Sequence, residues 1–502
     1  MKSIPFFLAA VVGMTASLLA EYSAPQPVQA TPGILNEYLR AQAASLSAWD
    51  FGVNVRLRYE DKEEAGTTKA GSNWDFSARP QDDNDNRYEL LRVMPHLGYT
   101  SSEVTVYVEG RTSYSYSDQR YNASAAGAGL SERDGPIDLY QAYVVLGNAK
   151  KFPLTAKIGR QEIALADQRL VGPAKWGNTP RTFDAAKLRW QSPQVAVDAF
   201  TSSPVYVDNN NANHSNPQDI FSGVYVSLPK LCAKETVETY LLGRNTARGI
   251  VTDNWTGVSS PNRFPAPQDI YTLGFRAKSN PKAYGPWDYA IDGMYQFGDR
   301  TAVFPSTAVA AALAAPRLEQ QAYAYIAQAG YSWTKAWGSP RASLVFSHAS
   351  GDKNPTDGKS ETFQNLFPSN HLVYGVMDLN GLENINDFKI TYTVKPTRAW
   401  VLSLEGHEYW LDRTTDYWYK NDVPRNFTGS AVGSGAGYRI NPSYGRKLGE
   451  EVDLLGGYST NKYTTIEAGV AHYFRGAYIK ESLRKVGSLD ANYVYVQVTL
   501  NL

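Results

Sequence analysis

The chain has 502 residues, in which 49 Lys and Arg balance 49 Asp and Glu, and 13% of the residues are aromatic. The zero charge balance argues against a polybasic nucleic-acid binder, so no nucleic-acid partner is expected. Beyond the first residues there is no run of about 18 apolar residues, which excludes a helical membrane protein. The aromatic rings suit either two water–lipid boundaries or a large soluble β-protein, and composition does not choose between them.

The N-terminal residues have the pattern of a secretory signal peptide. Lys2 precedes an apolar stretch from Ile4 to Ala20, which is the order of charged and apolar regions in such peptides. Small residues at Val28 and Ala30 favour cleavage after Ala30. Cleavage after Ala20 and a retained N-terminal anchor are the alternatives. We therefore expect a signal peptide over residues 1–30 and an exported mature protein.

A single cysteine, Cys232, rules out an intramolecular disulfide. Many small exported proteins depend on disulfides for stability, so this chain needs another source. A closed barrel in a bilayer supplies one, because every strand edge is paired and hydrocarbon penalises unpaired backbone groups.

Strict alternation of apolar and polar residues begins at Trp49. The odd positions from Trp49 to Tyr59 are all apolar, whereas the even positions are Asp, Gly, Asn or Arg. The same period of two returns in residues 103–111, 387–395 and 493–502. Successive side chains of a strand point to opposite faces, so each segment predicts a strand with one apolar and one polar face. A soluble sandwich would also show this pattern.

The connections between the predicted strands distinguish an outer-membrane barrel from a soluble sandwich. Short joints fall near residues 100–102, 148–152, 191–194, 229–234, 279–286, 334–340, 395–397 and 459–462. They alternate with long joints of about 15 to 35 residues, rich in Gly, Pro, Asn and Asp. Short turns on one rim and long loops on the other are typical of outer-membrane barrels, with the short side periplasmic.

The chain is therefore predicted to be all-β, a transmembrane antiparallel β-barrel of about 18 strands that follows the N-terminal signal peptide. The barrel would occupy residues 48–502, after a short periplasmic segment over 31–47. Its lumen would be wider than side chains alone can fill, so water or loops must occupy it. The polar positions of each strand would then line the pore.

One dense stretch, from Lys157 to Trp190, carries several motifs. They are GRQE at 159–162, DQRLVG at 167–172, Trp176, and RTFDAAKLRW at 181–190. This stretch resembles the signature region of the alginate-export family of bacterial outer-membrane barrels. The resemblance implies a monomeric barrel whose charged lumen passes a polar or anionic solute or a polysaccharide. Alginate is only one candidate solute. Apart from the resemblance, the last predicted strand ends on an apolar residue, Leu502 in place of the usual aromatic, so we expect the barrel-insertion machinery as a partner. No cofactor is expected.

Strand parity predicts which charged residues line the pore. The basic positions expected to point inward are Arg56, Arg58, Arg92, Arg111, Lys187, Arg189, Arg276, Lys389 and Lys395. The acidic positions expected there are Glu103, Glu109, Asp387 and Glu405, and Arg160, Arg169 and Arg181 in or beside the signature region add to the basic set. These arginines either form a constriction selective for anions or pair with lumenal carboxylates and brace the wall.

Residues Ile163 to Thr182, the signature loop, belong on the extracellular side by loop order. The loop either folds into the lumen or stays on the surface. We expect a structural role for it, in which ion pairs fix it in place. The residues expected to do so are Asp167, Arg169, Trp176, Arg181 and Asp184.

No other motif indicates catalysis or a metal. The acidic run Asp82 to Asn86 lacks the glycine and glutamate of an EF-hand loop, and Gly433 to Gly437 lies outside any βαβ context. His407 shares a strand face with Glu405, for which a pore-wall hydrogen bond is expected. Two functions follow: a passive channel with no catalytic site, or a barrel-anchored enzyme or adhesin acting through long loops such as 351–384 and 412–447.

Overall fold

A computed structural model describes residues 33–64, 76–78, 85–118, 132–208, 211–246, 267–301, 316–420, 423–424 and 435–502. The signal peptide expected over residues 1–30 lies outside the described residues. So do most of the acidic run at 82–86 and the first two residues of the glycine-rich segment at 433–437.

Eighteen long antiparallel strands in the described part of the chain form one closed barrel. Each strand pairs with its neighbours in sequence, and the last strand pairs with the first through a register that includes Asn54 opposite Asn501. This architecture confirms the predicted fold and strand number. The strands are β1 Trp49–Glu63, β2 Asn86–Thr100, β3 Val104–Tyr116, β4 Asp134–Leu146, β5 Leu154–Gln161, β6 Phe183–Gln191, β7 Ala196–Tyr206, β8 Asp219–Leu228, β9 Glu235–Thr246, β10 Gln268–Ser279, β11 Trp287–Thr301, β12 Arg317–Ser332, β13 Arg341–Ala349, β14 Ile385–Val394, β15 Trp400–Leu411, β16 Lys447–Ser459, β17 Thr464–Arg475 and β18 Ala491–Asn501.

Helices are few and short in the described ranges. Helix α1 (Ile34–Gln42) and a 3₁₀ turn (Ala44–Ala48) precede β1, a second 3₁₀ turn covers Asn370–Leu372, and α2 (Ala477–Ser482) follows β17. None of these described helices is long and apolar enough to cross a membrane. Two-residue strands also occur in the loops, at His214–Ser215, Lys359–Ser360, Tyr419–Lys420 and Val423–Pro424.

The faces of each strand are sorted as the alternation predicts. On β1, the Leu57 side chain is 53% exposed on the outside, whereas its neighbour Arg58 is fully buried on the inside. On β18, Val494 and Val496 lie outside and Tyr493 is buried inside. An apolar outer band is what lipid requires, and the inward polar groups need water or protein partners.

Connections of two lengths alternate around the barrel. The eight connections that follow the even-numbered strands span 3 to 8 residues, and the nine that follow the odd-numbered strands span 12 to 35. This alternation confirms the predicted short joints. In an outer-membrane barrel the short rim is periplasmic, which places the long loops outside the cell.

Parts of the long loops fold back into the lumen. Their buried apolar side chains, together with inward residues of the strands, form one hydrophobic cluster. Leu170 of the signature loop and Phe367, Tyr374 and Leu382 of the loop at 350–384 belong to it. Burial of such side chains stabilises the loops by about 1.5–3 kcal/mol each, so the lumen is narrowed by packed protein.

Candidate functional site

The signature loop crosses the lumen from one wall to the opposite one. On one side, Arg56 donates to the carbonyl oxygen of Lys175 at 2.8 Å, and Arg92 donates to that of Gly177 at 3.0 Å. On the other side, Asp167 lies 3.2 Å from Arg276 on β10. Because β10 is nine strands from β1 in a ring of eighteen, these anchors lie on opposite walls. Of the two placements predicted for the loop, the inward one is observed.

Arg58 forms the most enclosed of these anchors. Its guanidinium donates to the carbonyl oxygen of Trp176 at 2.6 Å, pairs with Glu60 at 2.7 Å and lies 3.8 Å above the Trp176 ring. Arg111 on β3 pairs with Asp134 and donates to the carbonyl oxygen of Pro180 at 2.9 Å. A guanidinium carries five N–H donors in a fixed fork, which suits several oxygens at once. These arginines therefore hold the backbone of the signature loop.

At the other end of the loop, Asp167 is held between two cations. It accepts a hydrogen bond from Arg169 at 2.8 Å and pairs with Arg276, which also lies 3.5 Å from Asp292 and 3.9 Å from Glu238. Burial raises the pKa of the Asp167 carboxyl, but Arg276 and Arg169 outweigh burial and hold that pKa below its ordinary value. Asp167 therefore stays ionised and its ion pairs persist over the neutral pH range.

The signature loop meets the loop at 350–384 inside the barrel. A parallel bridge joins Val171 to Phe367, and Arg181 donates to the carbonyl oxygens of Gly172 and Phe367. The rings of Trp176 and His371 stack, with centroids 3.8 Å apart. The two loops therefore form one constriction, in which Arg181 binds backbone carbonyls of both loops.

Sequence reasoning missed the attachment of the 350–384 loop to the wall. Gln296 on β11 donates to the carbonyl oxygen of Gln364 at 2.8 Å and accepts from its N–H at 2.7 Å, and Gln320 on β12 donates to the carbonyl oxygen of Thr362 at 2.8 Å. Across the lumen, Glu451 on β16 accepts from the N–H of Met377 at 2.9 Å. The available signal was the pair of inward glutamines on neighbouring strands, because buried amides need partners.

A basic surface lines the wall formed by β5 and β6. Lys157 and Lys187 are direct cross-strand partners, and Lys187 lies 4.0 Å from Asp198. Arg189 pairs with Asp198 at 2.7 Å. Lys175 of the signature loop extends this surface: it lies 2.9 Å from Glu162, and its side chain is 62% exposed.

The four cations Lys157, Lys175, Lys187 and Arg189 thus face two carboxylates. We call them the basic surface. Sequence reasoning named Lys187 and Arg189 but missed Lys157 and Lys175. The parity of β5 could have identified Lys157, whereas Lys175 depends on the loop fold.

A second charged group lies on β14 and β15. Lys389 pairs with Glu405, and Asp387 bonds to His407 Nδ1 at 2.9 Å. His407 Nε2 lies 4.0 Å from Glu405. The pore-wall hydrogen bond expected of His407 is thus formed, but with Asp387 instead of Glu405.

Other residues predicted to line the pore lie elsewhere or have local partners. Arg160 shares the outward face of β5 with Ile158 and pairs there with Asp184 at 2.8 Å. Glu109 faces the lumen and accepts from Gln141 at 2.7 Å. Arg160 was expected in the lumen because it lies beside the signature loop, and Asp184 was expected to fix that loop. Both expectations are wrong, because an arginine near a barrel rim can face outward and pair with a neighbour.

Two further charged residues predicted to point into the lumen belong to the short rim. Glu103 and Lys395 lie in short turns beyond the strand ends. Strand parity does not apply there, because the alternation of faces ends with the strand.

Comparison with known proteins agrees with this architecture. Among solved structures, the barrel is similar to Acinetobacter baumannii OccAB1 (TM-score 0.53, 11% identity, 91% of this chain and 97% of that chain). It is also similar to Pseudomonas aeruginosa OpdK with vanillate (TM-score 0.52, 12% identity, 90% and 98%) and to Pseudomonas aeruginosa OccD3 (TM-score 0.52, 9% identity, 91% and 92%). At such identities the likeness shows the fold alone. No curated protein sequence matches the chain.

The family model for alginate export matches residues 48–491. That match spans all eighteen barrel strands except most of the last one. The chain therefore belongs to the alginate-export family and is a β-barrel channel of the bacterial outer membrane.

Proposed function

We propose that the barrel conducts anionic solutes passively along the basic surface, past the constriction formed by the two inner loops. The observation that carries this proposal is the direct opposition of Lys157 and Lys187. Like charges placed opposite each other across two strands are destabilising. The repulsion between the two lumenal lysines is relieved when a passing anion binds beside both of them.

The exposure of Lys175 supports the same proposal. The Lys175 side chain is 62% exposed although its loop is packed inside the barrel, and Lys187 is 16% exposed. Arg56, Arg58 and Arg92, in contrast, are buried against loop carbonyls. We assign Arg56, Arg58 and Arg92 to shaping the constriction and the lysines of the basic surface to contact with the solute.

The solute class that fits is a small organic anion or an acidic polysaccharide strand. Carboxylates along such a strand would meet successive cations, first Lys175 and then Lys157 and Lys187. Each barrel encloses its own lumen, so we propose a monomer. In both long loops, at 350–384 and 412–446, apolar side chains such as Phe367 and Trp418 are buried in the hydrophobic cluster, which favours the channel over a surface enzyme or adhesin.

Ion selectivity in planar bilayers tests this function. We expect the refolded protein to open in stable steps with an anion preference, measured as the reversal potential in a KCl gradient. The double variant Lys157→Gln/Lys187→Gln should reduce that preference, because both changes remove lumenal charge without a change of fold.

Lys151→Gln is the matched control, since Lys151 lies in a periplasmic turn and pairs with Glu103. It should leave the reversal potential unchanged. Cation preference in the unmodified channel, or equal effects of the control and the double variant, would count against an anion path along the basic surface.

A further inference from the structure

A cluster of metal-ligating side chains lies in the lumenal wall, apart from the basic surface. Glu405 and His407 are two residues apart on β15, and Asp453 on β16 is the direct cross-strand partner of Glu405. One ligand atom from each of the three residues lies within 4.8 Å of the others. All three side chains are buried.

His407 is oriented as a metal ligand. Its Nδ1 lies 2.9 Å from the Asp387 carboxylate, an acceptor, so Nδ1 is the donor to Asp387 and Nε2 is the ring nitrogen left to face a cation. Nε2 has no hydrogen-bond partner in the described structure and lies 4.0 Å from Glu405 Oε2. A histidine held by a carboxylate through one nitrogen and free at the other is the usual arrangement around zinc.

Asp453 supplies an independent observation. It is fully buried, and among the described residues its carboxylate meets no N–H donor, only the carboxyl group of Glu451 on the same face. Glu451 itself accepts from the N–H of Met377. Two buried carboxyl groups in contact require a cation or a proton beside them.

The charges around the cluster favour a cation. Four carboxylates, Asp387, Glu405, Glu451 and Asp453, face this part of the wall from β14 to β16, and Lys389 pairs with Glu405. A divalent cation between the three ligand atoms would satisfy His407, Glu405 and Asp453 together.

We propose that Glu405, His407 and Asp453 bind a divalent transition-metal cation of the Zn²⁺ class. Imidazole nitrogen selects this class over Mg²⁺ and Ca²⁺, which prefer oxygen ligands alone. Zinc bonds are about 2.0–2.2 Å long, so shifts of about 1 Å in the side chains bring the three ligands to a shared ion. Asp387 acts as a positioning residue, and a fourth coordination position stays available to water or a solute carboxylate.

Zinc titration of the full-length, tag-free barrel tests the site. The protein is refolded in detergent, stripped with a chelator and titrated with Zn²⁺ against a chromophoric chelator, and Co²⁺ absorption reports the coordination geometry. We expect one Zn²⁺ per barrel, bound more tightly than Ca²⁺. Asp453→Asn and His407→Gln should each abolish it, and Asp387→Asn should weaken it by about 10- to 100-fold.

His348→Gln provides the matched control. His348 is also buried with an unpartnered Nε2, but its Nδ1 lies 2.8 Å from the amide oxygen of Asn386, and no metal-ligating cluster found in the described residues includes it. Its zinc binding should equal that of the unmodified barrel. Heat-dependent gel mobility confirms the fold of each variant, and His407→Gln decides the matter if Asp453→Asn does not fold. No zinc binding by the unmodified barrel, or binding that survives both ligand changes, would overturn the proposal.

Discussion

Asp167 and Arg276 join the signature loop to β10 at 3.2 Å, on the wall opposite the arginines of β1 and β2. The loop is consequently tethered at both ends of its path across the lumen. With only one of these two contacts, the opposite end of the signature loop could move away from the wall. The width of the constriction therefore depends on contacts made on two distant parts of the barrel.

Asp167→Asn should release one of these tethers. The change removes the charge that pairs with Arg276, while Asp292 and Glu238 still neutralise that guanidinium, so the barrel itself should stay folded. We expect larger single-channel conductance with rapid flicker, measured in planar bilayers. Asp184→Asn is the control, because Asp184 pairs with Arg160 on the outer face. Conductance traces that match the unmodified channel would show that the tether does not limit the pore.

Arg58→Lys tests geometry separately from charge. Lysine keeps the positive charge, but its ammonium group cannot bind the carbonyl oxygen of Trp176 and the Glu60 carboxylate in the planar geometry of a guanidinium. It also loses the stacked contact with the indole ring. We expect the free energy of unfolding to fall by about 2–3 kcal/mol, measured by urea titration in detergent. Arg87→Lys, at an exposed pair with Asp61, should leave it unchanged within the precision of the titration, because water screens that pair. If the two variants changed the free energy of unfolding equally, the planar guanidinium of Arg58 would make no specific contribution to stability.

The barrel was predictable because its signal is local. Each strand must present apolar side chains to lipid and polar ones to the lumen, so parity placed Arg56, Arg58 and Arg92 inside. Their partners were not predictable. The oxygens they bind are backbone carbonyls of the signature loop, and no side-chain pattern reports where a loop backbone will run.

The same limit explains the residues that were missed. In the sequence, nothing distinguishes Gln296 from other polar strand positions, because its partner is the backbone of the 350–384 loop. Arg160 shows the opposite error: it was expected in the lumen but lies on the outer face. There, near the rim, its guanidinium pairs with Asp184. Parity identifies the face of a strand, whereas only the tertiary fold identifies the partner.

Asp352 should make the extracellular side of the 350–384 loop sensitive to pH. Burial raises the pKa of its carboxyl to about 6, above the ordinary value of 3.8. The folded loop therefore holds a proton that the unfolded segment releases, so the contribution of Asp352 to stability is full below pH 3.8 and is lost as the pH rises through 6. Amide protection around residues 351–356, corrected for intrinsic exchange, should fall between about pH 5 and pH 7.

Asp352→Asn should flatten that pH dependence, because the amide does not titrate. The control is Asp357→Asn, an exposed position in the same loop. A pH dependence that persists in Asp352→Asn would assign it to another group, of which the buried Asp416 is the nearest candidate, since its carboxylate accepts the N–H of Asp352 at 2.9 Å.

Gln296→Leu should detach the middle of the 350–384 loop from the wall. Gln296 is fully buried and bonds both the N–H and the carbonyl of Gln364, so leucine removes two hydrogen bonds at buried backbone groups. Each loss costs about 1–3 kcal/mol, enough to favour local opening while β11 keeps its ladder to β10 and β12. Hydrogen exchange at residues 362–366 should accelerate by at least about tenfold.

Gln321→Leu is the matched control for this change. Among the described residues, Gln321 bonds the side chains of Glu319 and Lys359 and does not contact the backbone of residues 362–366 through a hydrogen bond. Its exchange at those residues should therefore equal that of the unmodified barrel. Unchanged exchange there in Gln296→Leu as well would show that the apolar cluster alone holds the loop in the lumen, because the two backbone hydrogen bonds would then contribute nothing to its closure.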